Sequence, residues 1–140
     1  MYLSRRKRIA LILLNVPVAL VLGVFILDKV VPSNARRALP ASATDIHEYY
    51  DDAGFNLQGD FSRFLKAKMP KSEMPGFAAK LGLNTRYNAA AFPVEFSGSP
   101  AWWDPPATPD GAYVQLGPGS EGYSLAKYKG GYVYFKAISW

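Results

Sequence analysis

The sequence predicts an α+β protein: one N-terminal transmembrane helix, then a small extracytoplasmic domain with an antiparallel sheet of four or five strands and one packed helix. Three observations predict this. Residues 9–27 form an uncharged segment, residues 72–81 have an amphipathic helical pattern, and several shorter segments alternate between apolar and polar residues. The predicted parts of the chain are a cytoplasmic basic tail at 1–8, the membrane helix at 9–27, a linker at 28–43 and the outer domain at 44–140.

Residues 9–27 have the length and composition of a membrane span. These 19 residues carry no charge, and at about 1.5 Å per residue a helix of that length covers roughly 28 Å, the thickness of a bilayer's hydrocarbon core. Arg5, Arg6, Lys7 and Arg8 precede the segment, and basic residues on that side keep the N-terminus in the cytoplasm. The sequence therefore predicts a single-pass protein whose C-terminal domain lies outside the cytoplasm, in a bacterial periplasm.

A cleaved signal peptide is the alternative interpretation of the same segment. Ala41, Ser42 and Ala43 form an A-x-A cleavage pattern, and the preceding tail is suitably basic. A cleavable apolar core, however, is only about 7–15 residues long and ends close to its cleavage site. Here 13 residues separate Leu27 from Ala41. This spacing favours a helix that remains attached as an anchor.

The net charge of +5 is concentrated in the basic tail. Four of the 16 Lys and Arg residues lie there, so the rest of the chain carries 12 basic against 11 acidic side chains. Nucleic-acid binding requires a concentrated basic face, which a nearly neutral domain lacks. The chain also contains no cysteine, which excludes disulfides, thiol nucleophiles and thiolate zinc sites.

Two strands are predicted at the start of the outer domain. In residues 44–54, Ile46, Glu48 and Tyr50 alternate as in a strand, although a helix with Ile46, Tyr49 and Tyr50 on one face fits as well. Residues 60–69 also alternate between apolar and polar side chains. The polar connection between the two segments has the length of a hairpin loop, so both are predicted as strands.

A helix is predicted at 72–81. Ser72 is a suitable N-cap, Pro75 falls in the first turn, where a missing N–H is harmless, and Gly82 supplies a left-handed residue after the last turn. The apolar stripe that should face the core consists of Met74, Phe77, Ala78 and Leu81.

The second half of the domain begins with a proline-rich segment at 83–111, which contains a possible short edge strand at 92–96. A further strand is predicted at 112–116. The clearest hairpin joins strands at 124–129 and 132–138 through adjacent glycines, which permit the positive φ angles of a two-residue turn. The register of that turn pairs Ala126 with Phe135, Lys127 with Tyr134, Tyr128 with Val133, and Lys129 with Tyr132.

His47 is the only histidine, and it lies among acidic residues. One hypothesis makes it a general base with Asp51 or Glu48 in a membrane-anchored hydrolase, but a surface strand histidine in an acidic neighbourhood is the favoured explanation. The acidic run at 51–60 lacks the spacing of a calcium loop. No G-x-S-x-G, H-E-x-x-H or glycine-rich phosphate loop occurs. We therefore expect no enzymatic activity, metal site or cofactor.

Trp102 and Trp103 form the most unusual motif outside the predicted membrane helix. Adjacent side chains of an extended segment point to opposite sides, so one tryptophan can enter the core while the other reaches outward. An exposed tryptophan with Tyr113 nearby is a candidate contact for a protein partner or a sugar ring. A packed loop plug and an aromatic contact with the lipid interface are the alternatives.

Asn15, Ala19 and Gly23 recur at every fourth position of the predicted membrane helix. Helices in lipid associate where small residues let backbones approach and where polar side chains form hydrogen bonds. This ridge is a candidate interface with another integral membrane protein, or with a second copy of the chain, and a chance spacing is the alternative.

Together these observations predict a non-enzymatic, single-pass envelope protein. The leading hypothesis is an accessory subunit or assembly factor of a larger membrane protein complex, anchored in the bilayer and without a nucleic-acid partner. The alternative is an anchored binding module for cell-wall glycan or another small ligand, which would use exposed aromatic side chains.

Overall fold

The outer domain is built on one antiparallel sheet. The computed structural model describes residues 32–51, 60–88, 90, 93–98, 100–117 and 121–139. Within these residues the strands are, in chain order, β1 (Thr44–Asp51), β2 (Phe61–Lys68), β3 (Thr85–Arg86), β4 (Tyr113–Leu116), β5 (Gly122–Lys129) and β6 (Tyr132–Ser139). Their spatial order is β1-β2-β6-β5-β4-β3, and every neighbouring pair is antiparallel. The α+β class and the antiparallel sheet are confirmed.

The described residues contain six strands rather than the four or five predicted. The strand predicted at 92–96 is wrong for residues 93–96, which form no strand. Pro93 has no N–H to donate, and the Val94 N–H donates to the hydroxyl of Tyr87 at 3.1 Å instead of to a neighbouring strand. The short strand β3 takes the edge position beside β4.

Two helices occur in the described part of the domain, where the sequence predicts one. The additional helix lies within the predicted linker at 28–43, and its Ala35 and Ala38, one turn apart, are buried in the core. A single helical turn is too short to show a periodic pattern, so the sequence alone does not reveal it. The helices are α1 (Asn34–Ala38) and α2 (Met74–Lys80), and a 3₁₀ turn at Lys71–Glu73 leads into α2.

α2 confirms the helix predicted at 72–81, although it starts two residues later. Ser72 is not its N-cap, because this residue lies inside the 3₁₀ turn; Glu73 occupies the cap position without a side-chain hydrogen bond. Pro75 falls in the first turn, as predicted. The predicted stripe faces the core, with Met74, Phe77 and Ala78 buried and Leu81 packed against them.

The C-terminus of α2 also follows the prediction. Gly82 has φ = +71°, the left-handed conformation that glycine adopts at no steric cost. The Gly82 N–H donates to the carbonyl of Ala79 at 3.0 Å, and the Leu83 N–H donates to that of Ala78 at 2.9 Å. These are the two hydrogen bonds of the Schellman motif, which ends the helix sharply.

The hairpin of β5 and β6 has the predicted register. Ala126 pairs with Phe135 and Tyr128 pairs with Val133. Gly130 and Gly131 have φ values of +59° and +92°, as a two-residue turn between strands requires.

Each face of the sheet has its own core. On the face covered by α1 and α2, here called the helix face, Phe77 meets Phe135 edge to face with ring centroids 6.3 Å apart. The opposite face, here called the loop face, is covered by the segment between β3 and β4, which we call the covering loop. The described residues that the covering loop contributes to this second core are Tyr87, Val94, Phe96, Trp102, Trp103 and Ala112.

Lys136 fastens the covering loop to β6. Its side chain is only 3% exposed, and its ammonium donates to the carbonyl oxygens of Glu95 at 2.8 Å and Ser97 at 2.6 Å. Burial lowers the pKa of Lys136. The two carbonyl oxygens provide the hydrogen bonds that a buried ammonium requires, so the lysine joins loop and sheet.

The predicted tail at 1–8 and membrane helix at 9–27 lie outside the described residues. The predictions for individual residues in these segments also lie outside the described residues: the topology residues Arg5, Arg6, Lys7 and Arg8, and the interface residues Asn15, Ala19 and Gly23. Within the ranges that the structure describes, no helix is long and apolar enough to cross a bilayer. From α1 onwards the described residues belong to one compact unit, Asn34–Trp140.

Candidate functional site

A cluster of polar and aromatic side chains lies on the loop face where β1, β2 and β6 run side by side. The strand register places His47 opposite Lys66, and Lys66 opposite Tyr134. The covering loop adds residues from a distant part of the sequence. The members of this group, here called the β1 cluster, are Asp45, His47, Lys66, Trp102, Asp104, Tyr132 and Tyr134.

Asp45 accepts two side-chain hydrogen bonds at one end of the cluster. Its carboxylate lies 2.8 Å from the hydroxyl of Tyr132 and 2.8 Å from Nε2 of His47. The hydrogen bond from Tyr132, followed by that from His47, holds the pKa of Asp45 below its ordinary value. The same bond raises the pKa of Tyr132.

The backbone at Asp45 is unusual. Its φ angle is +48°, in the left-handed region that aspartate tolerates better than most residues. The pairing of β1 with β2 is irregular at the same place, between Thr44 and His47. Irregularities of this kind redirect side chains at functional and edge positions. Here the redirected side chain is the Asp45 carboxylate, which accepts hydrogen bonds from two donors.

Lys66 and Asp104 form an ion pair at the centre of the cluster. The ammonium lies 2.5 Å from Oδ1 of Asp104, and the hydroxyl of Tyr134 donates to the same oxygen at 3.1 Å. Burial is the largest single influence on Lys66 and opposes its charge, but the hydrogen bond to Asp104 and the interactions with Tyr134 and the Asp104 charge together outweigh it, so the pKa of Lys66 is raised. The bond from Lys66 in turn lowers the pKa of Asp104. Both groups are therefore charged at neutral pH.

Lys66 also connects the two halves of the cluster. Its ammonium lies 4.8 Å from the ring centroid of Tyr132 and 5.5 Å from that of Tyr134. At these distances a cation is attracted to the face of an aromatic ring. The polar side chains are thus held in one arrangement before any partner arrives.

The two tryptophans occupy different environments. Trp103 is 6% exposed and packs edge to face against Phe64, Phe96 and Tyr134. Trp102 is half-buried, and its ring lies 5.4 Å from that of His47. Trp103 therefore belongs to the core of the loop face, and Trp102 forms its boundary with the surface.

Tyr113, the third predicted contact residue, is not near the tryptophans. It lies on β4 and packs against the core of the helix face, so the sheet separates it from them. The guanidinium of Arg86 lies 3.6 Å from its ring centroid. The structure brings Trp102 together with His47 rather than with Tyr113.

β1 extends the site along the edge of the sheet. Its only neighbour among the described strands is β2, and most of its residues are exposed or half-buried. Tyr49 and Tyr50 are 40% and 36% exposed, on opposite faces. Tyr49 lies on the loop face, where its ring centroid is 6.2 Å from that of Phe64.

His47 does not pair with the carboxylates that the hydrolase hypothesis would use. Its partner is Asp45, whereas Glu48 lies 3.4 Å from Arg63 on the helix face, and Asp51 lies at the far end of β1. Among the residues that the structure describes, no group of three or more His, Asp or Glu side chains is placed to hold a metal ion. The geometry is that of fixed charges beside aromatic rings.

Comparison of the chain with protein-family models, with curated proteins and with solved structures finds no match.

Proposed function

We propose that the chain is a non-enzymatic accessory subunit or assembly factor of a larger membrane protein complex, and that its outer domain binds the partner along β1. Binding of the partner along β1 is supported by one observation. β1 is a strand of eight residues at the edge of the sheet, with exposed tyrosines on both of its faces. An edge strand of this length offers backbone donors and acceptors to a partner strand, and recognition by strand addition uses such an edge.

The side chains beside β1 suit protein recognition. Trp102 and Tyr49 lie at the surface of the loop face near the edge strand, and tryptophan and tyrosine are the residues most often found at energetic centres of interfaces. The ion pair of Lys66 and Asp104 holds the segment that carries Trp102 against β2. A surface fixed in advance loses little conformational freedom on binding.

The membrane part of the proposal is supported by the sequence of residues 9–27. The ridge of Asn15, Ala19 and Gly23 is the predicted contact with a second membrane helix, which belongs either to another integral subunit or to a second copy of this chain. The proposal therefore has two separable interfaces, one in the bilayer and one on the outer domain.

Co-purification in mild detergent tests the outer interface. We expect Tyr49→Ser and Trp102→Ala each to reduce the recovery of a stoichiometric membrane partner at least about tenfold. That is the effect of removing an interface anchor that contributes about 1.4 kcal/mol or more to the binding free energy. Leu116→Ala is the matched control, because Leu116 is a 52% exposed apolar residue on β4, away from β1. Equal recovery of the partner with all three variants would refute binding along β1.

A second pair of variants tests the interface in the bilayer. Gly23→Leu places a bulky side chain on the small-residue ridge, so we expect it to release the partner or to break a homodimer. Leu22→Ala changes a neighbouring face of the same helix and should have no effect. If both variants retain the partner as the unaltered chain does, the helix serves only as an anchor.

The glycan-binding module is the second candidate, and the contact of Trp102 with His47 favours it. The Trp102 ring lies beside His47, which is bonded to Asp45, and Asp104 follows two residues later in the chain. An aromatic ring with polar side chains in the same cluster is suited to stack on a sugar and to hydrogen-bond its hydroxyls. Retention of the chain on purified cell-wall material, lost in Trp102→Ala and kept in Leu116→Ala, would support the module. Absence of retention together with a stoichiometric membrane partner would support the subunit.

A further inference from the structure

A cleft on the helix face, remote from the β1 cluster, has the character of a separate binding site. It has a volume of about 280 Å³ and opens between the start of α2 and the ends of β3, β4 and β5. Its apolar walls include Met74, Tyr113 and Tyr128. Small-molecule sites are mostly apolar concavities with a few polar groups at fixed positions, and this cleft lies at the small end of their size range.

The charges around the cleft all have one sign. Lys71, Arg86 and Lys127 line it, and no carboxylate is among its lining residues. The ammonium of Lys127, however, lies toward the loop face, because Lys127 pairs with Tyr134 of that face. There it donates to the carbonyl oxygens of Thr108 and Asp110 in the covering loop. The two remaining cations, Lys71 and Arg86, stand beside an apolar cavity that no carboxylate lines, and they create a local positive potential that an anionic ligand would neutralise.

Arg86 is already fixed in position. Its guanidinium stacks 3.6 Å from the ring centroid of Tyr113 and donates through Nη1 to the carbonyl of Gly111 at 2.8 Å. An arginine has five N–H donors, so the one bond to Gly111 leaves others for a ligand.

Lys71 is the second cation, and it has no ion-pair partner in the part of the chain that the structure describes. It lies in the 3₁₀ turn before α2, next in space to Met74 at the cleft. Arginine binds a carboxylate with two parallel hydrogen bonds, and lysine adds a mobile charge.

We propose that this cleft binds a small monocarboxylate with an apolar body. The carboxylate lies between Arg86 and Lys71, and the apolar body packs against Met74 and Tyr128. This site does not depend on the interface along β1, since it lies on the other face of the sheet.

The methyl group of Met74 provides a direct probe. The chain contains three methionines, and a spectrum of the full chain, labelled with ¹³C at the methionine methyls, includes Met74 in the cleft and Met69, a buried residue that does not line it. Phenylacetate should shift the Met74 signal saturably through its ring current, with a dissociation constant of about a millimolar, as expected for so small a ligand. The Met69 signal should move less.

Matched ligands and variants decide the proposal. Phenylacetamide has the ring without the charge, and acetate has the charge without the ring. Each should need a concentration at least about tenfold higher than phenylacetate to half-saturate the cleft. Arg86→Gln and Lys71→Gln should each weaken phenylacetate about tenfold, whereas Lys80→Gln, at the other end of α2, should leave its affinity unchanged. Equal binding of phenylacetamide, an equal effect of Lys80→Gln, or no Met74 shift at millimolar phenylacetate would each overturn the site.

Discussion

The indole N–H of Trp103 donates to the backbone carbonyl of Phe96 at 3.0 Å, and the rings of the same two residues meet edge to face with centroids 5.4 Å apart. The covering loop is thus closed on itself by one side chain, which also packs on the sheet. Its neighbour Trp102 has no such role, because its ring lies at the surface beside His47. Substituting each of the two adjacent tryptophans in turn therefore compares a core position with a surface position.

Trp103→Ala should destabilise the domain by about 3–5 kcal/mol, because it leaves a large cavity and deprives the Phe96 carbonyl of its donor. Trp102→Ala should cost less than half as much. Urea unfolding of the segment 34–140 measures both. Equal losses would show that Trp102 belongs to the core as fully as Trp103 does.

Phe77→Ala tests the core of the helix face. Phe77 is 1% exposed and meets Phe135 edge to face, so we expect a loss of about 3–5 kcal/mol, a large part of the stability of a small domain. Ala79→Ser, at an exposed position of the same helix, is the control and should change the melting temperature little. An unchanged melting temperature in Phe77→Ala would contradict the packing described for α2.

Two glycines should respond to alanine in opposite directions. Gly76 lies in α2 with open space around its Cα, so Gly76→Ala should stabilise the domain by about 0.4–1 kcal/mol by restricting the unfolded chain. Gly122 has φ = +140°, and a Cβ there would collide with the carbonyl oxygen of Ile138 on β6. Gly122→Ala should therefore lower stability by more than about 1 kcal/mol. If the two variants shift the melting temperature in the same direction relative to the unaltered chain, the contrast between the two glycines is wrong.

The ion pair of Lys66 and Asp104 predicts a dependence of stability on pH. Since the pKa of Asp104 is lower in the folded chain than its ordinary value, its stabilisation is present above pH 4 and is lost as pH falls through the folded pKa. Asp104→Asn should therefore be less stable than the unaltered chain at pH 7 and should melt at a lower temperature. The loss of stability should be under about 1 kcal/mol, because Asp104 is largely exposed. The difference should shrink below pH 4.

Salt provides the control for this pair. About 1 M sodium chloride at pH 7 should also narrow the difference between Asp104→Asn and the unaltered chain, because exposed charges are screened. A difference that stays constant from pH 7 to pH 2 would argue against the ion pair as its source.

The predicted topology is tested with a reporter enzyme fused after residue 140. With Arg5, Arg6, Lys7 and Arg8 retained in the cytoplasm, a reporter that works only outside the cytoplasm should be active. The purified chain should begin at Met1 or Tyr2. A mature N-terminus at Thr44 would instead establish the signal-peptide interpretation.

Local patterns in the sequence predicted the parts of the fold that local interactions determine. The stripe of α2, the left-handed Gly82 and the register of the β5–β6 hairpin all depend on residues within a few positions of one another. The prediction failed where distant segments supply the partners. The helix α1 has no pattern of its own and exists because Ala35 and Ala38 reach the core.

The candidate site was predictable only in part for the same reason. Trp102 and His47 are conspicuous in the sequence, yet their contact joins positions 55 apart and arises from the path of the covering loop. Lys66 and Tyr134 come together because β2 pairs with β6, a pairing that no local pattern specifies. Asp104 precedes two prolines in the sequence, and its place in the cluster depends on Lys66, which lies on a distant strand.

The position of β6 has a consequence for how the molecule is made. This strand lies between β2 and β5, so without residues 132–139 the described strands form only two separate fragments, each with an edge of unpaired backbone N–H and C=O groups. Assembly of the complete sheet therefore waits for β6. A chain interrupted before β6 should be unable to complete the sheet and should be a target for proteases and chaperones.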